Sequence, residues 1–148
     1  MISVNYGLTL LDATYGEFLN TNGIQPELGE QQLNGNYLTN APKVSINLGL
    51  NYTTAMESGA SLTYRANAAY KSRIYFSEFN EYSQDAYTIV DLNLIWESAD
   101  ETMRSRFFIK NATDEDYISG YLSSATGGGR FGQWGYPRTA GIEIQRNF

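Results

Sequence analysis

Lys43-Val44-Ser45-Ile46-Asn47-Leu48-Gly49-Leu50-Asn51-Tyr52-Thr53 alternates with a period of two. Val44, Ile46, Leu48, Leu50 and Tyr52 fall on one side, and Lys43, Ser45, Asn47, Gly49, Asn51 and Thr53 on the other. Successive side chains of an extended chain point to opposite faces, so the stretch reads as a β-strand with one apolar and one polar face. Five more stretches repeat the pattern. Ile2 to Ala13 sets Ile2, Val4, Tyr6, Leu8 and Leu10 against Ser3, Asn5, Gly7 and Thr9. Ala60 to Phe76 sets Leu62, Tyr64, Ala66, Ala68, Tyr70 and Ile74 against Ser61, Thr63, Arg65, Asn67, Lys71 and Arg73. Tyr87 to Glu97 sets Val90, Leu92, Leu94 and Trp96 against Asp91, Asn93 and Glu97, with Ile89 and Ile95 intruding on the polar row. Met103 to Asn111 opposes Met103, Phe107 and Ile109 to Arg104, Arg106 and Lys110, and Ala140 to Phe148 opposes Ile142, Ile144 and Phe148 to Glu143, Gln145 and Asn147.

The connections sort by length. Thr14 to Pro42, Ser77 to Ala86 and Ala112 to Arg138 are long and polar, whereas Thr54 to Gly59 and Ser98 to Thr102 are short. In an antiparallel up-and-down meander this places every long loop at one end and every tight turn at the other, the arrangement of bacterial outer-membrane barrels. A strand of about 10 residues tilted by about 40° rises roughly 25 Å, the height of the lipid-facing band of such barrels. The expected fold is therefore all-β, an antiparallel meander of about six strands forming part of a transmembrane β-barrel with its apolar rows toward lipid. Aromatic residues near the ends of that band suggest two interfacial girdles: Tyr15, Phe18, Tyr75, Phe76, Tyr87 and Tyr136 toward the long loops, and Tyr52, Trp96 and Phe148 toward the turns.

Composition narrows the function. The 148 residues, at mean hydropathy -0.39, hold no run long enough for a membrane-spanning helix. A barrel strand escapes that test, because only alternate residues must be apolar. With no Cys and no His, disulfide scaffolds, thiolate chemistry, serine-type triads and the usual zinc sites are excluded. A net charge of -6 argues against a nucleic-acid surface. No catalytic constellation, cofactor motif or metal-ligand spacing stands out, and the chain reads as a non-enzyme. Gly127-Gly128-Gly129-Arg130 lacks the Lys-Ser or Lys-Thr of a phosphate loop and reads as a surface loop. Asp114, Glu115 and Asp116 do not have the spacing of a calcium loop.

Three segments, in order, resemble the carboxyl-terminal end of the barrel of TonB-dependent outer-membrane receptors, along nearly the whole chain. Leu33-Asn34-Gly35-Asn36-Tyr37-Leu38-Thr39-Asn40-Ala41-Pro42-Lys43 is similar to the family's loop leading into a strand. Phe107-Phe108-Ile109-Lys110-Asn111-Ala112-Thr113-Asp114-Glu115-Asp116-Tyr117 resembles its penultimate strand and the turn after it. Gly135-Tyr136-Pro137-Arg138-Thr139-Ala140-Gly141-Ile142 resembles the start of the last strand, which finishes on Phe148. Independently of the likeness, Pro42 and Pro137 suit strand beginnings, where a missing amide donor costs no ladder bond.

The resemblance implies a receptor that takes up a ferric siderophore or a similar scarce nutrient across the bacterial outer membrane. Its partners would be the lipid bilayer, the barrel-assembly machinery and TonB, the last through an amino-terminal plug domain. It further implies about 22 barrel strands, so residues 1–148 are expected to be the C-terminal segment of the barrel, with the plug and earlier strands absent. Phe148, Ile144 and Ile142 would form the assembly signal; Arg146 departs from the aromatic or apolar residue the family usually has in that row. Ligand contacts would come from Thr14 to Pro42, Ser77 to Ala86 or Ala112 to Arg138, with no single residue carried over. The alternative reading of the alternation alone is a soluble small β-barrel that binds a ligand inside its apolar rows.

Overall fold

The structure, a computed structural model, describes residues 1–124 and 129–147. The elements in chain order are β1 (Ile2–Leu10), β2 (Leu19–Thr21), a 3-10 turn (Pro26–Leu28), β3 (Glu30–Gln32), β4 (Val44–Ala55) and β5 (Ser61–Lys71). They continue with β6 (Ile74–Tyr75), β7 (Ser83–Gln84), β8 (Tyr87–Glu97), β9 (Met103–Lys110), β10 (Ile118–Ser124), β11 (Gly129–Trp134) and β12 (Thr139–Arg146). Six of them form one antiparallel sheet in the order β1-β4-β5-β8-β9-β12, the order of the chain itself. The six strands expected from the alternation are these six. The remaining short strands pair as hairpins inside the long loops, β2 with β3, β6 with β7 and β10 with β11.

Register turns the alternation of each strand into rows across the sheet. Val4, Leu50, Ala66, Leu92, Ile109 and Ala140 lie opposite one another in turn, and so do Ile2, Tyr52, Tyr64, Leu94, Phe107 and Ile142. One face is thus apolar from edge to edge. The other carries Asn51, Arg65 and Asn93 in one row and Thr53, Thr63, Ile95, Arg106 and Glu143 in another.

No second layer covers the apolar face among the described residues. Leu8 is 60% exposed, Leu48 50% and Ile144 66%, and the buried apolar residues among those described are only Leu33, Ala60, Ile74, Tyr87 and Ile95. The accessible surface is 10007 Å², where a compact monomer of 16.6 kDa keeps about 7,600 Å². In water such a face would be a liability, but in hydrocarbon it is the correct surface. The sheet is open, so its apolar rows do not enclose an interior as the soluble-barrel alternative requires.

Two details depart from the sequence reading. The stretch Ala60 to Phe76 does not continue as one strand. At Ser72 the ladder closes, the Ser72 N–H donating to Val44 O and Ser72 Oγ accepting from the Val44 N–H, after which Ile74 and Tyr75 pair with Gln84 and Ser83. The girdle toward the long loops is largely replaced by packing within those loops: Tyr15 stacks on Phe18, Tyr75 on Tyr37 and Phe76 on Tyr121. Tyr87 faces the polar side, opposite Lys71, and stacks on Tyr117 with centroids 4.9 Å apart. At the other end Tyr52 and Tyr64 do lie side by side on the apolar face, 6.1 Å apart.

The tight turns are closed by their own side chains. In the turn after β8, Asp100 Oδ1 accepts from Ser98 Oγ, Thr102 Oγ1 and the Thr102 N–H. The Ser98 hydroxyl first, then the Thr102 donors, hold the Asp100 carboxyl below its ordinary value.

Candidate ligand cleft

The polar wall supports a cluster of the three long loops at one end. The first, residues 11–43, is pinned to the second, residues 72–86, mainly by asparagine amides. Asn80 has φ 55, a left-handed conformation that Asn tolerates. Its Oδ1 accepts from the Tyr37 N–H at 2.7 Å while its Nδ2 donates to Tyr37 O at 2.9 Å. The side chain so imitates one rung of a β-ladder. Asn36 Nδ2 donates to Glu78 O, Asn20 Nδ2 to Glu78 Oε1, and Asn22 Nδ2 to Glu81.

The third loop, residues 111–138, joins through the β10-β11 hairpin. The Ile118 N–H donates to Gln84 Oε1. Tyr121, on the face of the hairpin turned toward the second loop, stacks on both Phe76 and Tyr82 with centroids 5.5 Å apart in each case. Arg130 lies 4.5 Å over the Tyr82 ring and 3.9 Å from Glu81 Oε2. Burial pushes the Tyr121 phenol above its ordinary pKa.

Between the loops lies a cavity of about 210 Å³. Asn22 and Ile24 of the first loop, Ser77, Glu78, Glu81 and Tyr82 of the second, and Tyr121, Ser123 and Arg130 of the third line it. Stacked rings offer a flat apolar wall, two carboxylates and a guanidinium supply directional contacts, and Ser77 Oγ is buried with no hydrogen-bond partner among the described residues. The site is suited to binding rather than to chemistry.

The charges are segregated. Within the three long loops ten carboxylates face four cations, a formal charge of -6. The polar wall of the sheet carries Arg65, Lys71, Arg104, Arg106 and Lys110 against Asp91, Glu97 and Glu143. Arg106 Nη1 bonds Glu143 at 3.0 Å and its Nε donates to Asn93 Oδ1 at 2.8 Å.

The three loop segments expected to supply ligand contacts meet in this one cluster. Ile142 and Ile144 lie on the exposed apolar face of β12, whereas Phe148, the third member of the expected assembly signal, is outside the described residues. So are Gly127 and Gly128 of the glycine-rich loop. Asp114 is engaged structurally: its Oδ1 accepts from the Arg138 N–H and its Oδ2 pairs with the guanidinium at 3.3 Å. Among the described residues no cluster of acidic side chains has the geometry to hold a metal ion. Sequence reasoning missed Asn80, Asn22 and Ser77; the five Asn of the first loop were the only signal available.

Comparison with known proteins places the chain. A family model described as TonB dependent receptor-like, beta-barrel matches residues 2–112. Among solved structures, the ferric yersiniabactin uptake receptor FyuA from Yersinia pestis is similar with a TM-score of 0.70 at 22% identity, over 81% of this chain and 18% of that one. BauA, the ferric preacinetobactin receptor from Acinetobacter baumannii, is similar with a TM-score of 0.67 at 21% identity, over 78% of this chain and 16% of that one. The chain thus spans less than a fifth of the length of either receptor.

Proposed function

The chain belongs to the TonB-dependent receptor β-barrel family, a family of the outer membrane that transports rather than catalyses, and from that premise we propose that it forms the carboxyl-terminal part of the barrel of a receptor for a ferric siderophore or a similar scarce nutrient. The observation that carries the reading is the pair of six-residue apolar rows running uncovered across the sheet beneath a cluster of polar loops. That combination suits a wall between lipid and an aqueous lumen. In this reading the loops capture the ligand outside the cell, a plug fills the lumen over Arg65, Arg104 and Arg106, and TonB acts on the plug. Both solved structures named above are receptors for ferric complexes, of yersiniabactin and of preacinetobactin, which supports iron as the cargo.

Uptake of iron-55 complexes by iron-starved cells tests this. Deleting the gene that encodes the chain is expected to abolish uptake of at least one ferric complex, and loss of TonB to do the same. Unchanged uptake of every complex would overturn the reading.

The same proposal makes Ile142, Ile144 and Phe148 the signal read by the barrel-assembly machinery. Removing Phe148 is expected to lower the yield of folded barrel in the outer membrane at least tenfold, scored by heat-modifiable migration on gels. An unaltered yield would leave Phe148 without that role.

A further inference from the structure

The loop cleft has a charge balance that bears on what it binds; the point rests on the receptor reading and refines it. Among the described residues Arg130 is the one cation lining the cavity, and it is already engaged. Glu81 Oε2 lies 3.9 Å from its guanidinium, the Tyr82 ring lies beneath it at 4.5 Å, and its side chain is only 30% exposed. Glu78 has no cationic partner among the described residues, its Oε1 accepting only from the neutral Asn20 amide at 3.0 Å. The lining therefore carries a formal charge of -1, set within loops whose own charge is -6. With Arg130 already over Tyr82 and Tyr121 stacked on Phe76 and Tyr82, the Glu78 carboxylate is what attracts a further positive charge, by ion pairing. A polyanionic complex would instead meet repulsion from the loops on approach and find Arg130 shared with Glu81.

We infer that this cleft, defined by Glu78, Glu81, Tyr82 and Tyr121, selects a ligand that presents a cationic group, an ammonium above all, and discriminates against anionic complexes. Glu78, whose carboxylate has no cationic partner among the described residues, supplies the charge that sets specificity.

The test uses the receptor that carries this chain, purified in detergent, and three ferric trihydroxamate complexes that share one metal core. One has a free ammonium arm, one has that arm acetylated and one has it succinylated. Calorimetry is expected to give the tightest binding to the ammonium form, about tenfold weaker binding to the acetylated form and weaker still to the succinylated form. Glu78→Gln, which keeps the acceptor for Asn20, should erase most of the difference. Glu81→Gln, by freeing Arg130, should improve binding of the succinylated form. Heat-modifiable migration confirms that both variants are folded. Preference for the succinylated complex, or an order that Glu78→Gln leaves unchanged, would overturn the proposal. Failure of all three to bind while TonB-dependent iron uptake persists would overturn this site alone, whereas loss of any link to uptake would overturn the receptor reading itself.

Discussion

Leu48→Arg, introduced into the barrel that carries this chain, is expected to cost about 2–4 kcal/mol, because residue 48 lies near the middle of the lipid-facing rows. Leu48 sits in β4 between Tyr6 of β1 and Ala68 of β5, far from both ends of the sheet, and is 50% exposed. Neither a carboxylate nor the interface is within easy reach of a guanidinium placed there. Asn47→Arg, one residue away, faces the polar wall between Gly7 and Ala69 and should be nearly neutral. The comparison is sharp because the two substitutions share strand, length and charge. Folding into detergent or lipid vesicles, followed in urea, measures both. Equal losses would mean that the two faces have been assigned wrongly.

Asn111→Ala is expected to be destabilising by about 3–4 kcal/mol, combining lost hydrogen bonds with a strained backbone. Asn111 is 3% exposed and has φ 48 at the point where β9 leaves the sheet. Its Nδ2 donates to Glu115 O at 2.9 Å and to Tyr136 O at 3.1 Å, and its Oδ1 accepts from the Glu115 N–H at 2.9 Å. Alanine would leave these groups unsatisfied and add a Cβ with no compensating contact in the left-handed region. Asn111→Gly removes only the strain and should recover about 1 kcal/mol. Thermal unfolding in detergent reads both, and a loss below about 1 kcal/mol for Asn111→Ala would refute this account of the joint.

Asn111 also shows where sequence reasoning stops. Its place after Phe107-Phe108-Ile109-Lys110 marks it as the end of a strand, and its tendency to bond neighbouring backbone is legible there. That its amide reaches Tyr136, 25 residues on, is not. Phe108 is similar. It stands in the row of Arg104, Arg106 and Lys110, and periodicity gives no reason for an aromatic ring there. In the sheet the ring covers Gly141, where an added Cβ would come within 2.5 Å of Phe108 Cζ. Arg106 lies 5.1 Å from the centre of the ring and Lys110 5.9 Å. Ile95 intrudes on the polar row for its own reason, being buried on the wall between Thr63 and Arg106.

What the sequence determined by itself is the set of six main strands, the face each one shows to lipid and the end at which the long loops gather. Those follow from a period of two and from loop lengths, which are local properties of the chain. What only the tertiary structure decided is the interior of the loops: the hairpins within them, the Asn80 rung, and the cleft among Ser77, Glu78, Tyr82, Tyr121 and Arg130. Its walls come from segments up to about a hundred residues apart, and their meeting depends on side-chain hydrogen bonds and ring stacking, which leave no periodic trace in the chain.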